Sequence, residues 1–279
     1  MDRELVLAGL TVTTIGASLL MTGFWPQRID PSISARQWER ASWRTVWVPL
    51  VPAVLVVSVL VGWAIVEPAE SDEHLPSSVF VVSGLFVALW SRAAIRAMAS
   101  LNTRDPDVAG TVGLWRTRTV ISDALVTALD AEALTAARAH EAAHVRHRDP
   151  LRIWLAQVVT DLQWPWPAAH DRFERWRHAL ELARDEEARL SGVDGADLAA
   201  AILVAARLET SCARGAALIE SQHGLEERIG RLLAPVPTED LSSKMSRHTV
   251  ALVSIALLGV LSGVRFGEWL VQTVVKWLP

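Results

Sequence analysis

The chain has no tyrosine, a single cysteine and only two lysines, Lys244 and Lys276, among 27 basic residues. One cysteine, Cys212, excludes an internal disulfide framework, so nothing in the sequence requires an oxidising compartment. A lone thiol of this kind is expected to behave as a small apolar residue. The net charge of −4 leaves no basic stripe, which speaks against direct binding of nucleic acid. The missing tyrosine removes the phenolic hydroxyl from the side-chain donors available to any site. Internal repeats and low-complexity linkers are also missing. The N-terminus lacks a convincing secretory signal, so its apolar run is expected to be retained as a span.

Apolar blocks are present. The hydrophobic fraction is 51% and the mean hydropathy +0.26, high for a chain with 21% charged residues. Leu5 to Trp25 and Val46 to Val66 are uncharged runs of 21 residues, each long enough to cross a bilayer as a helix. A third run, Ser77 to Ile95, carries Arg92 near its end, where the guanidinium is expected to snorkel. A fourth, Thr249 to Val264, is shorter at 16 residues. The alternative for the last two is a buried helix of a soluble core. Arg28, Arg36, Arg40 and Arg44 lie between the first two runs, and Glu67, Glu70, Asp72 and Glu73 between the next two. Arg92, Arg96 and Arg104 follow the third run, and Lys244 and Arg247 precede the fourth. The positive-inside rule then puts both termini outside and residues 100–247 in the cytoplasm. The expected fold class is mainly α, a multi-span helical membrane protein with a cytoplasmic α+β domain. Its expected divisions are three spans in 1–99, a soluble domain in 100–247, and a last span with a short tail in 248–279.

Within the cytoplasmic segment, residues 100–118 read as a loop and Arg118 to Leu125 as one strand. Asp130 is a good N-cap for an alanine-rich helix running from Ala131 to about His147. That helix contains His140-Glu141-Ala142-Ala143-His144. Residues four apart project from one helical face, so both imidazoles can reach one tetrahedral ion. Glu141, offset by one position, can stand beside a water on that ion and take its proton as it attacks a peptide carbonyl. Zinc, one per chain, is the expected metal, with His140 and His144 as ligands and Glu141 as catalytic base. A third ligand is required. Asp171 to Leu190 is strongly helical, ends at Ser191-Gly192, and places Glu181 and Asp185 on one face. Glu174, Glu186 and Glu187 share it with alternating arginines, the pattern of an ordinary solvated helix, so spacing alone leaves the role of Glu181 open.

The run Val120 to Leu125, then Leu129 to Leu134, then His140 to Asp149 resembles the membrane gluzincins, namely the HtpX-like proteases and the BlaR/MecR antirepressor metallopeptidases. The stretch Glu181-Leu182-Ala183-Arg184-Asp185 matches their E-x-x-x-D motif over a resemblance spanning roughly 115–235. It implies Glu181 as third metal ligand and Asp185 as the residue that orients a ligand imidazole. Four spans with the protease between the third and fourth look like the BlaR/MecR arrangement. That implies cytoplasmic proteolysis of a protein or peptide substrate, a transcriptional repressor being the natural case. The penicillin-binding sensor of that group is not expected, since the chain ends at Pro279. Arg184 stands where the family usually has cysteine. His223 to Ile229 resembles the H-P-x-x-x-x-R-I segment of HtpX-like enzymes, with Gly224 for proline. It implies His223 as an oxyanion donor and Arg228 as a structural or substrate-contacting residue; a loop histidine on the surface is the competing reading. His147 is expected to cap its helix, His170 and His178 to be solvated, and Asp149 to be structural. A quality-control protease of the HtpX type and a non-catalytic membrane transducer with structural zinc are the rival functions. The expected partners are the substrate protein and the lipid bilayer.

Overall fold

The computed structural model describes residues 9, 11–13, 15–16, 34–51, 77–101, 108–212 and 218–235. The expected fourth span, most of the first two and the last division of the chain therefore lie outside the described residues. What is described is mainly helical, with one antiparallel hairpin.

Helix α1, Ala35–Trp47, is capped by Ser34, whose side chain accepts from the Gln37 amide. It occupies the segment read from sequence as an arginine-bearing loop between two spans. Its inner stripe is Ala35, Glu39, Ser42 and Val46, spaced for one helical face. Helix α2, Ser77–Ser100, contains the stretch Phe80–Ser100, long and apolar enough to cross a membrane. Val81 and Leu85 are 65% and 62% exposed, whereas the core helix of a soluble protein would bury them. Its C-terminal end is docked: Arg92 lies over the Trp164 ring at 4.6 Å, Arg96 pairs with Asp161, and the Trp154 indole donates to the Ala97 carbonyl.

Strands β1 (Ala109–Val112) and β2 (Arg118–Ile121) pair antiparallel, with Ala109 opposite Ile121 and Val112 opposite Arg118. The first lies in the segment expected as loop. Gly113 turns the hairpin at φ +89°, and a Cβ there would sit 2.3 Å from the Arg116 carbonyl oxygen. After the short helix α3 (Asp123–Ala128) comes helix α4, Ala131–His147, with the Asp130 side chain accepting from the Ala133 amide at 2.8 Å as expected. Arg148 ends it in the left-handed conformation, φ 52°, and its amide returns to the carbonyls of His144 and Val145. That turn starts helix α5, Asp149–Leu162, with its first residue beneath His144.

Helix α6, Pro167–Leu190, begins with proline in its first turn and ends at Ser191, followed by Gly192 at φ 101°. Helices α7 (Gly195–Cys212) and α8 (Leu218–Leu233) complete the described chain. One apolar cluster joins Val46 of α1, Ala156 and Val159 of α5, and Phe173, Trp176 and Leu180 of α6, with Trp43 and Trp47 against it. Another joins Ala136 of α4, Ala188 of α6, Leu198 and Ala199 of α7, and Leu232 of α8. The two clusters hold α6 at two levels along its length, on either side of Glu181 in sequence.

Candidate metal centre

His140 and His144 lie one turn apart on the buried side of α4, each 8% exposed. Their Nε2 atoms face each other at 3.1 Å. Each ring turns its other nitrogen to a carboxylate: Asp185 Oδ1 is 2.9 Å from His140 Nδ1, and Asp149 Oδ2 is 2.8 Å from His144 Nδ1. A carboxylate at Nδ1 keeps a proton there and leaves Nε2 as a lone pair. Two lone pairs at this separation repel unless a cation or a proton lies between them. Glu181 supplies the third donor, with Oε2 3.5 Å from His140 Nε2 and Oε1 3.8 Å from His144 Nε2. The three donor atoms lie within 4.8 Å of one another. Nitrogens sharing a tetrahedral ion at about 2.0–2.1 Å stand about 3.4 Å apart, so the donor set fits zinc. The Glu181 side chain is 35% exposed, so a metal held there would be reachable from solvent.

The surroundings select Glu181 from the acids of α6. Glu174 is exposed beside Arg177, Glu186 accepts from the Ala35 amide at 2.9 Å, and Glu187 pairs with Arg146 and His147. Asp185 is gripped by Arg228, whose Nε and Nη2 donate at 2.8 and 2.9 Å, while Nη1 stands 3.3 Å from Glu181. Asp149 is fully buried and receives Arg184 Nε at 2.5 Å and Nη2 at 3.0 Å, besides Arg152 Nη1 at 3.1 Å. Glu141 is buried beside the two histidines, and the Thr111 hydroxyl on β1 donates to its Oε2 at 2.9 Å. Thr111→Val removes one hydrogen bond to a charged group, worth about 1.5 kcal/mol. If that bond aims Glu141, kcat falls about tenfold at unchanged zinc content.

The charges of the centre are strongly coupled. Burial would push His140 down, but Asp185 and Glu181 overcome it and raise His140 from 6.5 to about 9. Burial would raise the Glu181 carboxyl, yet His144 and Arg228 hold it well below the usual range. Asp149, against its burial, is held down to about 2 by His144 and Arg184. The metal-free centre therefore keeps a proton on His140 at neutral pH. A pKa raised on folding stabilises fully below the unfolded value of 6.5, and that contribution is lost as pH rises through about 9. The expected result is that the metal-free chain loses melting temperature between these pH values. Thermal melts with chelator across that range check it; a flat profile contradicts it.

The residues expected from sequence, His140, Glu141, His144, Glu181 and Asp185, come together at one place. His223 lies on α8, and its side chain falls outside what is described. Two expectations need correction. His147 does not cap α4, a task Arg148 performs; it pairs with Glu187 at 2.8 Å. His178 is not merely solvated, because it pairs with Glu227 at 2.7 Å and meets the edge of Trp38. Arg184, standing where the family usually has cysteine, is a buried partner of Asp149. Sequence reasoning also missed Thr111, for which the β-branched Thr-Val pair after Gly110 was the available signal.

The chain matches the family described as BlaR1 peptidase M56 over residues 21–232. The matched region is most of the chain and reaches well upstream of the motifs, taking in α1 and α2. This chain belongs to that family of membrane-associated peptidases. No curated protein and no solved structure matches it.

Proposed function

We propose that the chain is a zinc-dependent membrane endopeptidase that cleaves a cytoplasmic protein, a transcriptional repressor being the substrate class its family favours. The convergence of His140, His144 and Glu181, each imidazole backed by its own carboxylate, is the observation that carries this reading. Bound there, zinc would supply Lewis acidity and lower the pKa of a coordinated water towards neutrality. The chain's own residues do the rest. Thr111 occupies Glu141 Oε2, leaving Oε1 to take the proton of the attacking water and pass it to the leaving amine. Asp149 holds the His144 ring by a hydrogen bond at Nδ1, Asp185 stands 2.9 Å from His140 Nδ1 as its charge partner, and Arg228 holds Asp185. The resemblance of the run His223 to Ile229 to the HtpX-like segment makes His223 the residue assigned to the oxyanion.

The same reading keeps the four-span topology, with both termini outside and the peptidase unit cytoplasmic. Its first cytoplasmic loop is then part of that unit, since α1 packs on α5 and α6. Labelling of new protein N-termini in cells expressing the chain or its Glu141→Gln variant tests the function. Cytoplasmic termini found with the parent and lost in the variant support it. A phenotype intact in Glu141→Gln but abolished in His140→Ala would instead mark a transducer with structural zinc. Accumulated fragments of many misfolded membrane proteins would favour quality control.

A further inference from the structure

We propose that Glu39 is a positioning residue for the metal centre: through Arg152 it fixes Asp149, and through Asp149 the ring of His144. This rests on His144 being a metal ligand. Glu39 belongs to α1, far in sequence from every motif, and is only 6% exposed. A buried carboxylate is costly unless paired. Here its Oε1 accepts from Arg152 Nη2 and, at 3.2 Å, from the Trp176 indole. The same guanidinium donates through Nη1 to Asp149 Oδ1 at 3.1 Å, and it lies over the rings of Trp43 at 4.7 Å and Trp176 at 5.6 Å. Arg152 is thus a rigid fork with one tine on Glu39 and the other on the carboxylate that orients His144.

Charge balance shows why Glu39 is needed. Asp149 faces two guanidiniums, Arg152 and Arg184, while also serving His144 Nδ1. With Glu39 present, Arg152 divides its donors between two carboxylates. Without it, both cations fall on Asp149, which then becomes a weaker and less well aimed acceptor for the imidazole. The metal site is thereby tied to the helix that leads into the second apolar run.

The test is zinc affinity of the purified full-length chain, measured by chelator competition, with a thermal melt of each variant. Glu39→Gln keeps the shape and an acceptor for Trp176 but removes the charge. It is expected to weaken zinc binding about tenfold, at the low end for residues that orient metal ligands. Glu39→Asp, which restores the charge, should recover part of the loss. In an Asp149→Asn background, Glu39→Gln should cost nothing further, because the relay is already cut. Should Glu39→Gln fail to purify, Arg152→Lys, which keeps the charge but loses the fork, must show the same loss and the same non-additivity. Zinc affinity within twofold of the parent in Glu39→Gln, or losses that multiply with Asp149→Asn, would overturn the role of Glu39 alone. A parent chain that takes up no zinc would overturn the metal reading, and this inference with it.

Discussion

Replacing Glu141 with glutamine is expected to slow peptide-bond cleavage about 10²–10⁴-fold, the usual contribution of a positioned general base. The substitution is nearly isosteric, and the amide oxygen can still accept from Thr111, so the hairpin and α4 should keep their contact. Glu141 is not among the three converging donors, so zinc content should be unchanged. The loss should fall on kcat with little change in KM, because proton transfer is felt only in the transition state. Fragment formation, measured against time with any substrate protein found by N-terminal labelling, reads this directly. Undiminished cleavage in Glu141→Gln would remove that residue from the chemistry.

The second large effect concerns stability. Arg184 and Asp149 are 3% and 0% exposed, and their two hydrogen bonds are among the best buried in the described chain. Arg184→Ala leaves Asp149 with His144 and Arg152 only, and truncating one member of a buried pair typically costs about 3–5 kcal/mol. Thermal unfolding of the detergent-solubilised chain should show a loss of that order, together with weakened zinc binding as His144 loses its anchor. The exposed pair Arg177 and Glu174 is the control: its side chains are 52% and 42% exposed, and Arg177→Ala should change stability by less than about 1 kcal/mol. Equal effects at both sites would mean that Arg184 contributes only surface charge.

Much of the centre was legible in sequence because its parts are local. Asp130 announces the start of α4, and Gly192 closes α6 where a left-handed turn is needed. The i, i+4 spacings of His140 with His144 and Glu181 with Asp185 need only a helix to become faces. What could not be read depends on contacts between distant segments. Thr111 meets Glu141 across 30 positions, and nothing in a short strand states which helix it will face. Helix α1 was hidden by its own polar interior: Glu39 and Ser42 interrupt the buried stripe, and Arg36, Arg40 and Arg44 read as a charged loop. Nothing in the sequence around Arg184 states that its buried partner is Asp149, the first residue of α5 and 35 positions away. The described residues hold one apolar helix of membrane length, so the four-span topology stands on hydropathy and loop charge.

Metal analysis of the purified full-length chain beside Glu141→Gln and Glu181→Ala tests the central claim most directly. The parent and Glu141→Gln should each carry one zinc per chain, and Glu181→Ala should lose it. Full zinc occupancy in Glu181→Ala would contradict the three-ligand centre.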